Sequence, residues 1–588
     1  MKDFIFGTLA TEELRNGHVR TRRAGVSHYQ ARNPRDPLPG QEINLNLTIG
    51  PNHPIERAWI YWTNDGSDPA GRLGKTTNGY AIPMQKDGVE WDTAFWGYIR
   101  YFQGTIPGQQ GGSVVRYYIS AGEEDGVEMI ADNGKIYGCY IDDDPPPSWS
   151  QDAIIYEIFV DRFFPGKEKE WFHPQTPTGF YGGTIRGISE KMDYLSELGV
   201  NVLWLTPIFP SPSHHGYDVT DLFAIEPRLG NKADLRALLD EAHRYEIRIL
   251  LDLVPNHVSN LHPTFQSAIS DKNSPYQKWF TFTNWPDNYD TFFGVRELPQ
   301  LNLREPGARK HVLDAATYWL DFGVDGFRVD YAIGPAPDFW ADFRRVTRKA
   351  NPDCWTFGEV VEPPDSQLNF EGSLDGCLDF NLLEAFRHAF AFQDWNADQF
   401  SSFLTRHEDF FPESFSRPSF LDNHDMNRFL WAAGGELRLL RLAALCQFSL
   451  SGAPIIYYGT EVGLSQERDV RQNGRGLPEE ARLPMLWGEE QNIELLDYYR
   501  SLIKLRQKNP ELHEGKLNVI HVDKNVLIYK KGTSQRLIMA LNFSDDTQQI
   551  NLNGNIRIVL AKTGEKDVQL GESSITLAPL GGAIISSS

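Results

Sequence analysis

The sequence predicts an α/β protein: a (β/α)8 barrel with an inserted subdomain after strand three, an N-terminal β-sandwich and a C-terminal antiparallel β domain. Three observations predict it. From Ala153 to about residue 510, apolar runs of strand length alternate with helical patterns, which implies a parallel sheet with crossover helices. On either side of that region the apolar spacing falls to two, with turn residues between short runs. Finally, the run from Ser259 to about Arg304 is too long for an ordinary connection, so it reads as a small domain laid over one end of the barrel.

Residues 1–140 carry EINLNLTIG, ERAWIYWTNDGSDP and GSVVRYYISAG, strand-like runs that suit an immunoglobulin-like sandwich. Trp59, Trp62, Trp91 and Trp96 look exposed there and could bind a sugar, but core packing or a domain contact is the expected use. The acidic, proline-rich IDDDPPPSWS (141–150) reads as a semi-rigid linker. The barrel, residues 151–510 with its insert at about 259–304, takes its eight strands from AIIYEIFV, NVLWLT, RILLDLV, DGFRVD, CWTFGE, DGCLDF, PSFLD and APIIYYG. ADLRALLDEAHRY and ELRLLRLAALCQFSL are among the helices between them. Residues 511–588 return to period two in LNVIHV, VLIYKK, RLIMALNF and ITLAPLGGAIISS. That domain carries no catalytic signal and is expected to cover one side of the barrel.

The chain has 588 residues, too many for one domain, and a formal net charge of −22. Such an acidic surface disfavours nucleic acid and anionic membranes and suits a neutral ligand. Cys139, Cys354, Cys377 and Cys446 lack CxxC spacing, and the last three sit in apolar patterns expected to bury free thiols. MKDFIFGTLATEELR has no apolar core of signal-peptide length, and no run of about 18 apolar residues occurs. The expected location is the cytoplasm. A homodimer is compatible with the sequence.

The chemistry gathers on strand ends. In GFRVDYA (326–332) alternation puts Arg328 and Asp330 on one face, where the guanidinium should hold Asp330 ionised by lowering its pKa roughly 1–3 units. CWTFGE ends in Glu359, and SFLDNHD ends in Asp425 beside His424. Strand ends of a barrel converge on one face, so these three acids should meet. Converging carboxyls are what glycoside cleavage requires, one to protonate the leaving oxygen and another to attack or to activate water. Glu359 has no basic neighbour in sequence, so it is the better proton holder.

DLVPNH (252–257), GFRVDYA, FGEVV (357–361) and FLDNHD (420–425), in that order, resemble the four signature segments of the alpha-amylase family of glycoside hydrolases. IIYEIFVDRF and GAPIIYYGTEVG resemble the same family, and the large domain before the barrel is most like its cyclomaltodextrinase, neopullulanase and maltogenic amylase branch. The resemblance implies Asp330 as nucleophile, Glu359 as general acid/base and Asp425 as the third acid that positions the sugar. It also implies His257 and His424 on sugar hydroxyls and Tyr217 stacked on the sugar, with Arg328, and His215 and Asp218 of the Tyr217 loop, also counted as substrate-binding; Asp252 and Asn256 look structural. The substrate implied is an alpha-glucan oligosaccharide, short or cyclic, cleaved with retention at alpha-1,4 and also alpha-1,6 bonds.

The chain also departs from the pattern. Ile333 and Gly334 stand where related hydrolases often carry a polar pair, and Glu362 where many neopullulanase-like enzymes have histidine; LPQLN (298–302) is similar to that branch's own version and also intermediate toward alpha-1,6-glucosidases. DRFFPGKEKEW (161–171) has lysines in place of clustered oxygen ligands, so no metal and no cofactor are expected. Two other classes fit the same residues: a glucanotransferase or isomerase sharing the covalent intermediate, and a non-catalytic carbohydrate-binding protein.

Overall fold

The computed structural model describes residues 16, 17, 19, 20, 23–123, 126–472, 475–552, 556–571 and 573–587. The stretch MKDFIFGTLATEELR, expected to lack a leader, lies outside the described residues.

All eight expected barrel strands form: β1 Ile155–Ile158, β2 Val202–Leu205, β3 Arg248–Leu253, β4 Gly326–Val329, β5 Trp355–Gly358, β6 Gly376–Cys377, β7 Ser419–Phe420 and β8 Pro454–Tyr457. They lie parallel in the order β6-β5-β4-β3-β2-β1-β8-β7. Cys377 N donates to Ser416 O and Asp379 N to Pro418 O, both at 3.0 Å, and these bonds close the circle between β6 and the approach to β7.

Period-two alternation sorts the side chains. Ile155, Val202, Trp204, Leu250, Trp355 and Phe357 fill the barrel's interior, while Tyr156, Leu203, Leu251, Phe327 and Val329 face the surrounding helices. Both faces are therefore apolar, as a parallel sheet covered by helices requires. Helix Lys232–Arg244 begins with a capping box between Asn231 and Asp234, and helix Pro306–Asp321 begins on a proline, whose missing N–H costs nothing there.

Two five-stranded antiparallel sheets precede the barrel. Ile43, Leu45, Leu47 and Phe102 from one and Ile60, Val115, Tyr117 and Ile119 from the other share one apolar core. Trp62, though it looked exposed, belongs to that core at 6 % exposure, which is the core packing expected of these tryptophans; Trp91 and Trp96 are exposed. The unit is tied to helix Phe339–Ala350: Arg116 donates to Asp342 at 2.6 Å, and Arg344 grips Asp142 with two bonds of 2.7 Å. The linker is thus anchored by its acid as well as stiffened by its prolines.

The insert contains helix Pro263–Ser270 and a hairpin of Phe282–Asn284 with Asn288–Tyr289. Antiparallel strands follow helix Ile493–Lys508 at the C-terminal end, among them Val526–Lys531 paired with Leu537–Asn542. All four cysteines are free and buried. Among the described residues no helix is long and apolar enough to cross a membrane.

Candidate active site

Strand register builds the site. Asp252 on β3 lies opposite Arg328 on β4, and Arg328 lies opposite Phe357 on β5, so the inner face presents an acid, a guanidinium and an aromatic in one row. Arg328 is fully buried. Its Nη1 donates to Asp252 Oδ1 (2.8 Å) and Oδ2 (3.0 Å) and to Asp330 Oδ1 (2.9 Å). Its Nη2 lies 2.9 Å from Glu359 Oε1, an ion pair at an angle outside hydrogen-bond geometry. One cation thus faces three carboxylates. Trp204 and Tyr217 flank it, with ring centroids 5.2 and 5.9 Å from the guanidinium carbon.

Just past β4 the backbone turns sharply. Tyr331 adopts φ 41°, in the left-handed region that costs a non-glycine residue strain. That turn aims its N–H at Glu359 Oε2 (3.1 Å), while Ala332 N bonds Glu359 O (3.0 Å). Asp330 and Glu359 are therefore locked to each other's segments.

Burial pushes Asp330 up to about 6, opposed by Arg328 and reinforced by the charge of Asp252. Burial raises Glu359 further, to about 7, with Arg328 again opposing and Asp330 and Asp425 adding to the rise. The order matches the sequence reading, but two of its reasons fail. Asp330 is raised rather than lowered, because loss of water outweighs one shared cation, and Glu359 does have a basic neighbour, Arg328, brought by the pairing of β4 with β5.

Asp425 differs. Burial alone would raise it, but the charge and hydrogen bond of His424, with Arg482 behind them, hold it well below the usual carboxylate range. His424 Nε2 is 2.9 Å from Asp425 Oδ2 and 2.5 Å from Tyr217 Oη, and Arg482 Nη2 donates to Asp425 Oδ1 at 2.9 Å. Burial works against the His424 cation, yet the charges of Asp425 and Glu157 raise its pKa to about 10.

Residues 157–493 match the alpha amylase catalytic domain. The chain is 37 % identical over 529 residues to "Alpha-amylase 2" of Dictyoglomus thermophilum, covering 89 % of both. It is 34 % identical over 468 residues to "Neopullulanase 2" of Thermoactinomyces vulgaris, covering 75 % of this chain and 78 % of that one. A solved cyclomaltodextrinase structure superposes with a TM-score of 0.68 at 26 % identity, over 96 % of this chain and 99 % of that one. The chain belongs to the alpha-amylase family of glycoside hydrolases. Within that family it is cyclomaltodextrinase- and neopullulanase-like.

Seen as a member of this family, the chain brings Asp330, Glu359, Arg328, Asp425, His424 and Tyr217 into one linked group. Tyr217 lies parallel to the His424 ring (5.3 Å between centroids, 9° between planes) and donates from Oη to Asp252 Oδ2 at 2.9 Å. His257 stands beside the insert, its ring stacked on Phe292 at 4.5 Å, and Phe292 and Phe293 both pack against Tyr331. Burial lowers His257 to about 3, so it is neutral, and its Nε2 is buried without a hydrogen-bond partner. His215 and Asp218 are turned to loop duties. His215 Nδ1 accepts from Tyr217 N (3.1 Å), and Asp218 Oδ1 takes the hydroxyls of Ser211 and Ser213. Asp252, read as structural, is Arg328's main partner at the centre of the site. Asn256 does tie loops: its Oδ1 accepts from Gln300 of the insert (3.0 Å), and a Cβ on Gly334 would sit 2.0 Å from that atom.

The sequence reading missed two groups. Glu157 on β1 bonds His424 Nδ1 at 2.6 Å, and its position two residues from inward-facing Ile155 was a usable signal. Arg482, which follows β8, gave no local signal; only the barrel brings it to Asp425.

Proposed function

We propose that this protein is a retaining alpha-glucan hydrolase acting on the alpha-1,4 bonds, and also alpha-1,6 bonds, of short or cyclic maltooligosaccharides and of pullulan. In this reading Asp330 attacks the anomeric carbon while Glu359 protonates the departing glycosidic oxygen. Glu359 then takes a proton from the water that hydrolyses the glycosyl ester. Asp425 stays anionic to bind the sugar's hydroxyls and the developing positive charge. His424 and neutral His257 offer N–H groups to hydroxyls, and Tyr217 offers a ring face.

The observation that carries this reading is the buried Arg328 within 2.9 Å of two carboxyls, Asp330 and Glu359, both raised by burial and Glu359 the further, to about 7 against about 6. At a pH between those values the nucleophile is mostly ionised and the acid mostly protonated, which is the division of labour the reaction needs. The names of the relatives supply the substrate class.

Preference for small or cyclic substrates follows from crowding. Phe292 and Phe293 of the insert overhang Tyr331, the N-terminal unit is fixed to helix Phe339–Ala350, and Ile333 and Gly334 offer no polar side chains on the leaving side. The test is kcat/KM on maltotriose, beta-cyclodextrin, pullulan and soluble starch, with products separated by chromatography. Maltotriose or the cyclodextrin is expected to exceed starch at least about tenfold, or roughly 1.4 kcal/mol of discrimination. Equal or better efficiency on starch overturns the preference.

A further inference from the structure

We propose that Glu157, on the inner face of β1, is a positioning residue of this reaction: its buried carboxylate fixes the His424 ring in the doubly protonated form and, through that ring, keeps Asp425 ionised and aimed. This role rests on the reading of Asp425 as the anion that binds the sugar. Glu157 lies outside the four signature segments.

The hydrogens an imidazole can supply set the constraint. A neutral ring has one N–H and one lone pair, a cationic ring two N–H groups. His424 is fully buried with a carboxylate oxygen at each nitrogen: Glu157 Oε1 at 2.6 Å from Nδ1 and Asp425 Oδ2 at 2.9 Å from Nε2. A neutral ring would face one carboxylate with its lone pair, in an interior with little water to screen the repulsion. Two protons satisfy both ends. Tyr217 Oη, 2.5 Å from Nε2, can accept from the same N–H because its own hydrogen goes to Asp252.

The other charges around the ring complete the device. Asp252 and Arg328 stand on β3 and β4, and Arg482 reaches in from beyond β8. Arg482 Nε donates to His424 O at 2.7 Å, and its Nη2 takes Asp425 Oδ1. Each Asp425 oxygen is thereby held by a different cation, and Glu157 secures one of the two.

Glu157 Oε2 is buried with no hydrogen-bond partner. A buried carboxylate with one oxygen unbonded is costly where only shape is needed, since a glutamine could make the same bond to a neutral ring. The negative charge itself is therefore the useful property. Burial raises the Glu157 carboxyl from its ordinary range, with His424 and Arg328 pulling it back, so acid should discharge it before Asp425.

The test is nitrogen-15 NMR on histidine-labelled full-length protein, with His424 assigned by its loss in His424→Gln. Wild-type His424 should show both nitrogens protonated from pH 6 to at least pH 9. In Glu157→Gln its titration should move down by at least one unit, and Glu157→Asp should recover part of that shift. On an alpha-maltosyl fluoride, which needs little help from Glu359, Glu157→Gln should lower kcat about 10- to 100-fold with KM within threefold, and bring an alkaline limb to lower pH. A neutral wild-type His424 at pH 7 overturns the proposal, even if no Glu157 variant folds. So does a Glu157→Gln whose His424 titration stays in place, whatever its activity. Absence of glucan turnover in the wild type would instead defeat the functional reading, while the NMR titration would still decide the role of Glu157.

Discussion

Replacing Arg328 by glutamine tests whether one buried cation governs both of the carboxyls proposed to react. The guanidinium stands 2.8 Å from Asp252 Oδ1 and 2.9 Å from Asp330 Oδ1 and Glu359 Oε1, with no exposure to water. Asp330 reaches about 6 even with the cation present, because burial dominates. Removing an adjacent positive charge raises a carboxyl by roughly 1–3 units. A rise of about 2 units takes Asp330 to about 8, and at about pH 6.5 its ionised fraction falls from about three quarters to about 3 %, a roughly 25-fold loss of nucleophile. In the proposed reading Asp330 must be ionised to attack, so the acid limb of the rate profile moves to higher pH.

The assay is kcat/KM against pH on an alpha-maltosyl fluoride, which isolates that limb. On a maltooligosaccharide the wild type should show a bell with flanks near 6 and 7, from Asp330 losing its proton and Glu359 losing its own. Arg328→Gln should shift the fluoride limb up by 1–3 units and lower stability to urea by about 3–5 kcal/mol, since three carboxyls lose their buried partner. Arg328→Lys keeps the charge and should leave the limb within about one unit, though it loses the planar fork. A folded Arg328→Gln with an unmoved acid limb would refute the reasoning.

Asp330→Asn should abolish turnover of every substrate, whereas Glu359→Gln should retain glycosylation by a glycosyl fluoride; equal residual rates on the fluoride would reverse or void the two assignments. Dialysis against a chelator should leave activity and Tm within error, because the Asp161 carboxylate is taken by Arg162 and by the N–H groups of Tyr181 and Gly182; a drop restored by calcium would contradict this. Glu408, held by Arg417 (3.0 Å), Ser451 (2.8 Å) and Lys531 (3.7 Å), resists its burial and sits near 2, below its ordinary value. Its contribution is complete above about pH 4.5 and is lost as pH falls toward 2, so Glu408→Gln should cost about 3 kcal/mol at pH 7 and little in strong acid. A pH-independent difference in urea denaturation would argue against that ion cluster.

Period and spacing determined much of this protein. The barrel strands announced themselves as short, mostly apolar runs, because a strand covered on both faces buries nearly every side chain; the buried charged exceptions, Glu157, Asp252 and Arg328, point to the site. Asp330 and Glu359 stood out because each directly ends such a run, and Asp425 because it follows one closely beside His424. Arg328 and Asp330 were placed together by alternation, and their bond at 2.9 Å follows from it.

Only the tertiary structure decided which groups share a charge. Arg328 reaches Glu359 across strands, Glu157 reaches His424 over a separation of 267 residues, and Arg482 reaches Asp425 from beyond β8. The Glu157 pairing needs the barrel to bring β1 beside β8, while the other two need the register of β4 on β5 and the path of the chain after β8, none of which is written locally. The direction of the Asp330 shift was hidden for the same reason. A neighbouring cation can be read from two letters of sequence, but the loss of water around a carboxylate is a sum over every strand that encloses it, and here that sum is the larger.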